Sequence, residues 1–500
     1  MFRRPALRAP SRRTTPTPVT RPVASLVAAL ALLAGSAAAF PTLSVAAEPT
    51  QAPYGPNDAP VLIVLGQSNA EGWGAPLDTA DKAKCQALNR VKGLNRTNNR
   101  TAGATSATWS QYTCVGNNLG EEHGGGLNYN VASATALRWQ RATESGTALP
   151  DLNVIHIAWG SQGIQDTDTD YGPNTRWWPG RDPNDVEALF PLAMNTITNG
   201  LRALEAAGKQ PRLIGIHWNQ WEAEAGNAST VSTAAIQAAF LKVFNPLRTI
   251  TGDTGAPFFL YRPRSTAYNQ ASTGHATQAL TAIAAAAPYK LLDAANATSA
   301  TGTPLYQPTA SPNFGIFTDT KHYTADVHKW FADQQWKTVF TDQKYGAPVK
   351  PTVNAALNRT ATQSSTNWAG VEEPRNAVDG NTNGVYAQAK PSYTKNELQP
   401  WWQVDLGARQ PIRSVELFNR TDWAFERLSN FDVIVSDTDL TGRGWADIQA
   451  DPAVKKIRIT GTAPKKLTVA VGVDGRYVRV QLAGTNYLTL PEVQVNVPTG

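Results

Sequence analysis

The residues whose types and spacing suit nucleophilic catalysis are a serine on a glycine turn and a histidine with an aspartate three positions before it. Gly66-Gln67-Ser68-Asn69 follows the apolar run Val61-Leu62-Ile63-Val64-Leu65. A serine there sits at the carboxyl end of a buried strand, on a tight turn that exposes its hydroxyl. Glycine permits the turn, and backbone N–H groups at the turn can face an anion. A serine hydroxyl is a poor nucleophile until a base takes its proton, and that base needs a partner to orient it. The histidines are His123, His156, His217, His275, His322 and His328. His322 has Asp319 three residues earlier, in a loop opening the last helix, so one loop can present both groups to the sheet edge. His156 and His217 lie inside apolar strands and read as structural.

The elements that must position these groups follow from periodicity. Residues 60–342 alternate strands and helices. Val61–Leu65 is apolar throughout, which marks a strand buried on both faces. Further strands are expected at 153–158, 213–217, 257–261 and 290–292. Helices are expected over about 185–207, 231–243, 277–286 and 325–340, the first announced by Pro183-Asn184-Asp185. Such alternation predicts an α/β fold, a parallel sheet with helices on both faces and its ligand at the strands' carboxyl ends. Residues 74–126 read as a polar, irregular surface insertion. It holds both cysteines, Cys85 and Cys114, which are expected to pair in an exported protein. Residues 343–353 read as a Pro/Gly/Lys linker. Beyond it, short β-type runs at 412–418, 431–435 and 477–482 predict an all-β sandwich.

Four blocks in order resemble the sialate O-acetylesterase and acetylxylan esterase branch of the SGNH hydrolases. They are Gly66-Gln67-Ser68-Asn69, Ala158-Trp159-Gly160-Ser161, Trp218-Asn219-Gln220-Trp221-Glu222-Ala223-Glu224-Ala225, and Asp319-Thr320-Lys321-His322. The resemblance covers most of residues 55–342 and implies a flavodoxin-like three-layer fold. It implies that Ser68 attacks an acyl carbonyl, that His322 is the base and Asp319 its orienting partner, and that no cofactor is needed. It places Ser68, Gly160 and Gln220 at the oxyanion, with Asn69, Trp221 and Glu222 lining the substrate. Trp221 stands where the family has glycine. It could narrow the acyl pocket, stack on sugar or mark a dead site. Trp177-Trp178 is either a sugar platform or core packing.

Residues 354–497 resemble the discoidin-like (coagulation-factor type C) jelly-roll sandwiches and, within them, the fucolectins. The carrying stretches include Asn376-Ala377-Val378-Asp379-Gly380-Asn381, Trp401-Trp402-Gln403-Val404-Asp405-Leu406-Gly407, Asn419-Arg420-Thr421-Asp422 and Pro491-Glu492-Val493. The resemblance implies a structural calcium ion at Asn376, Asp379, Asn381 and Glu492, whose oxygens suit a hard cation. The alternative is a metal-free Asx-rich turn. It implies sugar binding by Arg420, Asp422 and Arg427, with Trp423 as a stacking face. The histidine that completes the fucolectin motif is absent, with Tyr393 or Lys395 near its place. The adjacent cysteine pair that packs on fucose is also missing.

Residues 1–22 carry Arg3, Arg4, Arg8, Arg12, Arg13 and Arg21 and no acid, followed by an apolar run and Ser44-Val45-Ala46-Ala47. This reads as a secretory signal peptide, residues 1–47. The chain is formally +6, and these arginines account for that charge, so nothing points to nucleic acid or membrane insertion as a partner. The expected protein is a secreted esterase, extracellular or periplasmic, that removes O-acetyl groups from a glycan. The alternatives are an inactive lectin or adhesin, and an esterase of non-sugar esters.

Overall fold

The computed structural model describes residues 54–94, 108–114, 119, 128–161, 163–164, 176–185, 187–226, 232–264 and 270–500. The leader and His123 lie outside them. The apolar run of the first strand becomes β1 (Asp58–Gly66), buried along its whole length. It sits in the middle of a seven-stranded sheet with β2 (Val91–Leu94), β3 (Trp109–Gln111), β4 (Leu152–Ala158), β5 (Gln210–Asn219), β6 (Phe258–Tyr261) and β7 (Tyr289–Leu292). The order is β3-β2-β4-β1-β5-β6-β7. All neighbours are parallel except β2 and β3. Gly66 is level with Ala158 of β4 and Asn219 of β5, so three strand ends meet at one point. Alternate β1 side chains serve opposite cores. Val61, Ile63 and Leu65 face α4 (Leu189–Ala206), α6 (Thr233–Ile250) and α7 (Gln270–Ala284). Leu62 and Val64 face α3 (Val131–Glu144) and α8 (Ala325–Trp336).

Several boundaries differ from the sequence reading. The insertion at 74–126 is not wholly irregular: it holds α2 (Thr79–Gln86), β2 and β3, and β2 extends the main sheet. Cys85 and Cys114 are joined as a disulfide. The sequence reading places no helix over α3, yet Asn130 and Ser133 cap it reciprocally. Helix α4 starts at Leu189 rather than Asp185, because Asp185 is used in the turn before it, bonding Arg181 and the Glu187 N–H. The linker is not free: Gly346 and Val349 donate their N–H groups to Leu213 and Pro211 of β5.

The carboxy-terminal domain is an antiparallel sandwich. It contains β8 (Thr352–Asn354), β9 (Ala361–Gln363), β10 (Trp401–Phe418), β11 (Ser429–Ser436), β12 (Lys455–Thr462), β13 (Lys466–Leu482) and β14 (Glu492–Pro498). The order is β12-β11-β13-β10-β14-β8, with β9 also on β10. Strand β10 pairs β9 through 402–404 and β14 through 414–418, and its register with β13 breaks between Asp405 and Gln410. Such breaks bend a strand, so one long strand serves both layers around Trp402, Val415, Phe431, Val480 and Val493. No helix among the described residues is long and apolar enough to cross a membrane.

Candidate functional site

Gly66 ends β1 at φ +146°, and a Cβ there would lie 2.2 Å from the Asn219 carbonyl oxygen. Only glycine allows β1 and β5 to approach so closely while the chain turns. Gln67 donates its N–H to that same carbonyl, and Ser68 opens the one-turn helix α1 (Ser68–Glu71). The first N–H groups of a helix have no acceptor one turn back.

The loop before α8 brings its histidine over this turn. His322 Nε2 lies 3.1 Å from Ser68 Oγ, and His322 Nδ1 lies 2.6 Å from Asp319 Oδ2. The other Asp319 oxygen accepts the N–H groups of Lys321 and His322. Burial pushes the Asp319 carboxyl up, but those two N–H groups and the imidazole outweigh it and hold the acid at about 2. It therefore stays ionised and fixes Nδ1 as the protonated ring nitrogen. Ser68 and His322 are each 9% exposed. Gly160, two residues past β4, faces this pair: a Cβ there would lie 3.6 Å from the Ser68 Cβ.

Three residues expected to line the substrate do something else. Asn69 is fully buried: its Nδ2 donates to Glu222 (2.5 Å) and to the Lys321 carbonyl, and its Oδ1 accepts the Tyr323 N–H. Glu222, 2% exposed, accepts from Asn69, from the Gln67 amide and from the Trp221 N–H. Burial pushes its carboxyl up. Together they brace the serine turn, the start of α5 (Glu222–Gly226) and the histidine loop. Trp221 has no exposed surface and packs in the core with Trp218 and Phe240. It neither stacks on a ligand nor fills the cleft. Gln220 gives one amide N–H to Glu224, which also accepts the Ile164 N–H. Trp177 is also core, against Trp218 and the Gly66 carbonyl.

His156 and His217 are buried within β4 and β5, as their apolar surroundings imply. His156 bonds the Ala70 carbonyl, and His217 lies between the Tyr261 hydroxyl and Gln335. Burial lowers their imidazoles to about 4 and about 3. Sequence reasoning missed Trp73 and Glu71 beside Ser68 and His322. Trp73 stacks on the His322 ring at 5.9 Å and donates its indole N–H to Glu71. Their nearness in sequence to Ser68 was the available signal.

In the sandwich, Arg420, Asp422, Trp423 and Arg427 come together. Arg420, 2% exposed, bonds Asp422 through Nε and lies over the Trp423 ring at 4.4 Å and Tyr386 at 5.1 Å. Arg427 lies over Tyr487 at 4.5 Å and Tyr393 at 5.2 Å. Asp422 also accepts the Tyr386 N–H. Two guanidinium forks are thus held by rings and a carboxylate beside Trp423, which is 60% exposed. Tyr386 and Tyr487 were not foreseen, because their loops are distant in sequence.

Asp379 and Glu492 approach each other nearby. Burial, and the Asp379 charge after it, push Glu492 up to about 8. Its Oε2 accepts the Gly380 N–H, while its buried Oε1 has no partner. Asn381 turns its amide oxygen to the Asn383 N–H, and Asn376 gives its amide nitrogen to the Val371 and Lys390 carbonyls. No group of three or more His, Cys, Asp or Glu side chains placed to hold a metal occurs among the described residues. An orphaned buried carboxylate oxygen beside a second acid nevertheless fits a hard cation in its donor chemistry.

Comparison with known proteins bears on the sandwich. A family described as NedA-like, galactose-binding domain matches residues 376–480. Fucolectin-6 of Anguilla japonica is 31% identical over 147 residues, 29% of this chain and 75% of the lectin. Fucolectin-1 of the same species is 34% identical over 147 residues, 29% of this chain and 80% of the lectin. A Streptococcus pneumoniae fucose binding module, SpX-3, is 33% identical, covering 29% of this chain and 96% of the module, with a TM-score of 0.25.

Proposed function

The chain belongs to the fucolectin family through its carboxy-terminal domain, and we propose that it is a glycan esterase whose substrate this domain holds. The supporting observation is the unbroken path from Ser68 Oγ through His322 to Asp319, at 3.1 and 2.6 Å, where three parallel strands end. In this reading the α/β domain is an SGNH-type serine hydrolase. Ser68 Oγ bonds to the acyl carbon as its proton passes to His322 Nε2. The N–H groups of Ser68 and Gly160, with the Gln220 amide, take the developing oxyanion, each donor worth about 10²–10³ in rate. His322 then returns the proton to the departing sugar oxygen. Water then bonds to the acyl carbon as His322 takes its proton, and the Ser68 Oγ–acyl bond breaks as His322 returns that proton to Oγ, releasing the acid and the free serine. Asp319 keeps Nδ1–H in place through both halves. The acyl group we assign is acetyl, and residues 1–47 export the chain.

Carbohydrate enters this reading from the sandwich. Arg420, Asp422 and Arg427 supply charged donors and an acceptor to sugar hydroxyls, and Trp423 supplies an apolar face. The histidine and the cysteine pair of the fucolectins are absent, and Arg427 lies among the rings of Tyr393, Tyr487 and Trp423, so the reading admits a ligand other than terminal fucose. Calcium, held by Asp379 and Glu492 with the Asn376 amide oxygen, would neutralise two neighbouring acids and stiffen the loop that carries them.

The test is hydrolysis of 4-nitrophenyl acetate by the mature chain beside Ser68→Ala. The expected fall is at least about 10³-fold. Activity that survives in Ser68→Ala overturns the nucleophile assignment. Inactivity of both proteins on the aryl ester and on acetylated glycans leaves a carbohydrate-binding protein without esterase chemistry.

A further inference from the structure

Arg427 is held by rings rather than by acids. Its guanidinium lies over Tyr487 at 4.5 Å, Tyr393 at 5.2 Å and Trp423 at 5.3 Å. Rings stabilise a cation through their faces and leave its fork of N–H donors uncommitted. Arg420, Arg443, Arg458 and Arg476 of the same domain each have a carboxylate oxygen within 2.9 Å. Among the described residues Arg427 is ion-paired with none, and its buried Nη1 has no acceptor. Burial lowers this guanidinium, against an upward pull from Tyr487 and Glu372. A charge drawn out of water without a bonded counter-charge is costly, and a ligand of opposite sign relieves that cost.

The neighbouring acids do not relieve it, because their oxygens are already in use. Glu372, 1% exposed, accepts the Tyr386 hydroxyl on Oε1 at 2.6 Å and the Asn367 amide on Oε2 at 2.9 Å. Asp422 accepts Arg420 Nε on Oδ1 and the Tyr386 N–H on Oδ2, each at 2.9 Å. Arg420 lies over the same Trp423 ring as Arg427, and its buried Nη1 has no acceptor either. The uncommitted groups are therefore donors. A sugar hydroxyl brings a hydrogen of its own that needs an acceptor. A carboxylate brings acceptors and a negative charge, and its two oxygens match the guanidinium fork. We propose that Arg427 receives a sugar carboxylate, so that the sandwich selects glycans containing uronic acids over neutral ones. The inference rests on the reading of this site as glycan-binding and narrows its ligand to acidic sugars.

The experiment is calorimetric titration of the full mature chain near pH 7 with D-galacturonate beside D-galactose, and D-glucuronate beside D-glucose. Within each pair only a carboxylate and a hydroxymethyl group differ. At least one acid is expected to bind about tenfold or more tighter than its neutral partner, the worth of one charge-assisted bond over a neutral one. Raising the salt from about 20 mM to about 500 mM should shrink that advantage. Arg427→Gln is expected to remove it and Arg427→Lys to keep part of it, since the charge remains while the fork is lost. Neutral sugars, L-fucose included, that bind as tightly as the acids overturn the inference and leave the glycan-binding reading standing. An advantage that persists in Arg427→Gln, shown folded by its melting curve, overturns the assignment to Arg427. Binding of none of these sugars overturns the inference and the glycan-binding reading together.

Discussion

Glu222 is a buried acid beside Ser68, and its three donors explain its presence there. A lone carboxylate without partners would be costly at 2% exposure. Here Gln67, Asn69 and the Trp221 N–H surround it, so its oxygens fix the residues on either side of Ser68. Asn69 carries the same restraint to the backbone on both sides of His322, at Lys321 and Tyr323. These side chains hold Ser68 and His322 at bonding distance from beneath, themselves buried. Glu222→Ala is expected to lower kcat on 4-nitrophenyl acetate about 10²-fold with little change in KM, the effect of displacing reacting groups by about 1 Å. Glu222→Gln keeps part of the bonding and should fall between. Steady-state kinetics beside a melting curve checks this; a rise in KM with kcat unchanged would return Glu222 to the substrate-binding role.

At the scale of elements, two turns show how backbone geometry prepares chemistry. The Gly66 turn works through close approach, as no Cβ fits against Asn219. The turn from Asp379 to Asn383 works through charge. It chains Asp379 to the Asn381 N–H and Asn381 to the Asn383 N–H, and sets Asp379 near Glu492 at the start of β14. Burial first, then Asp379, raises Glu492 from the usual 4.5 to about 8. Without a cation the folded chain keeps a proton that the unfolded chain has lost, so Glu492's contribution weakens as pH rises from about 4.5 to about 8. Calcium binds the ionised form, so its stabilisation should grow across that same window. Melting curves in calcium against EDTA should differ by several degrees near pH 8.5 and hardly at all near pH 5. Glu492→Gln should abolish the difference, and no shift at the higher pH would remove calcium from this turn.

Across the whole molecule, the α/β domain and the sandwich meet through a buried polar contact. Asn195 of α4 donates to the Lys466 carbonyl and accepts the Thr468 N–H, as a neighbouring strand would. Arg202 and Lys466 both reach Glu416, which has no exposed surface. Burial pushes that carboxyl up, but the two cations outweigh it and hold it ionised. Removing one partner of a buried charge group leaves the others uncompensated and costs about 3–5 kcal/mol. Glu416→Ala is therefore expected to split one calorimetric transition into two as the domains unfold apart. A single transition at an unchanged temperature would show that the contact does not couple them.

The Gly66–Ser68 turn, the Asp-x-x-His loop, the parallel sheet and the sandwich were legible in the residues, because each depends on local chemistry: apolar runs, glycine turns and short spacings. The arginine pair and Asp422 were legible only through their likeness to the fucolectin motif. Tertiary structure alone decided that Trp221 faces the core, that Asn69 and Glu222 brace the Ser68 turn, and that Trp73 stacks on His322. A side chain's direction at a strand's end depends on neighbours hundreds of residues away, and the 254-residue gap between Ser68 and His322 closes only when the sheet is assembled.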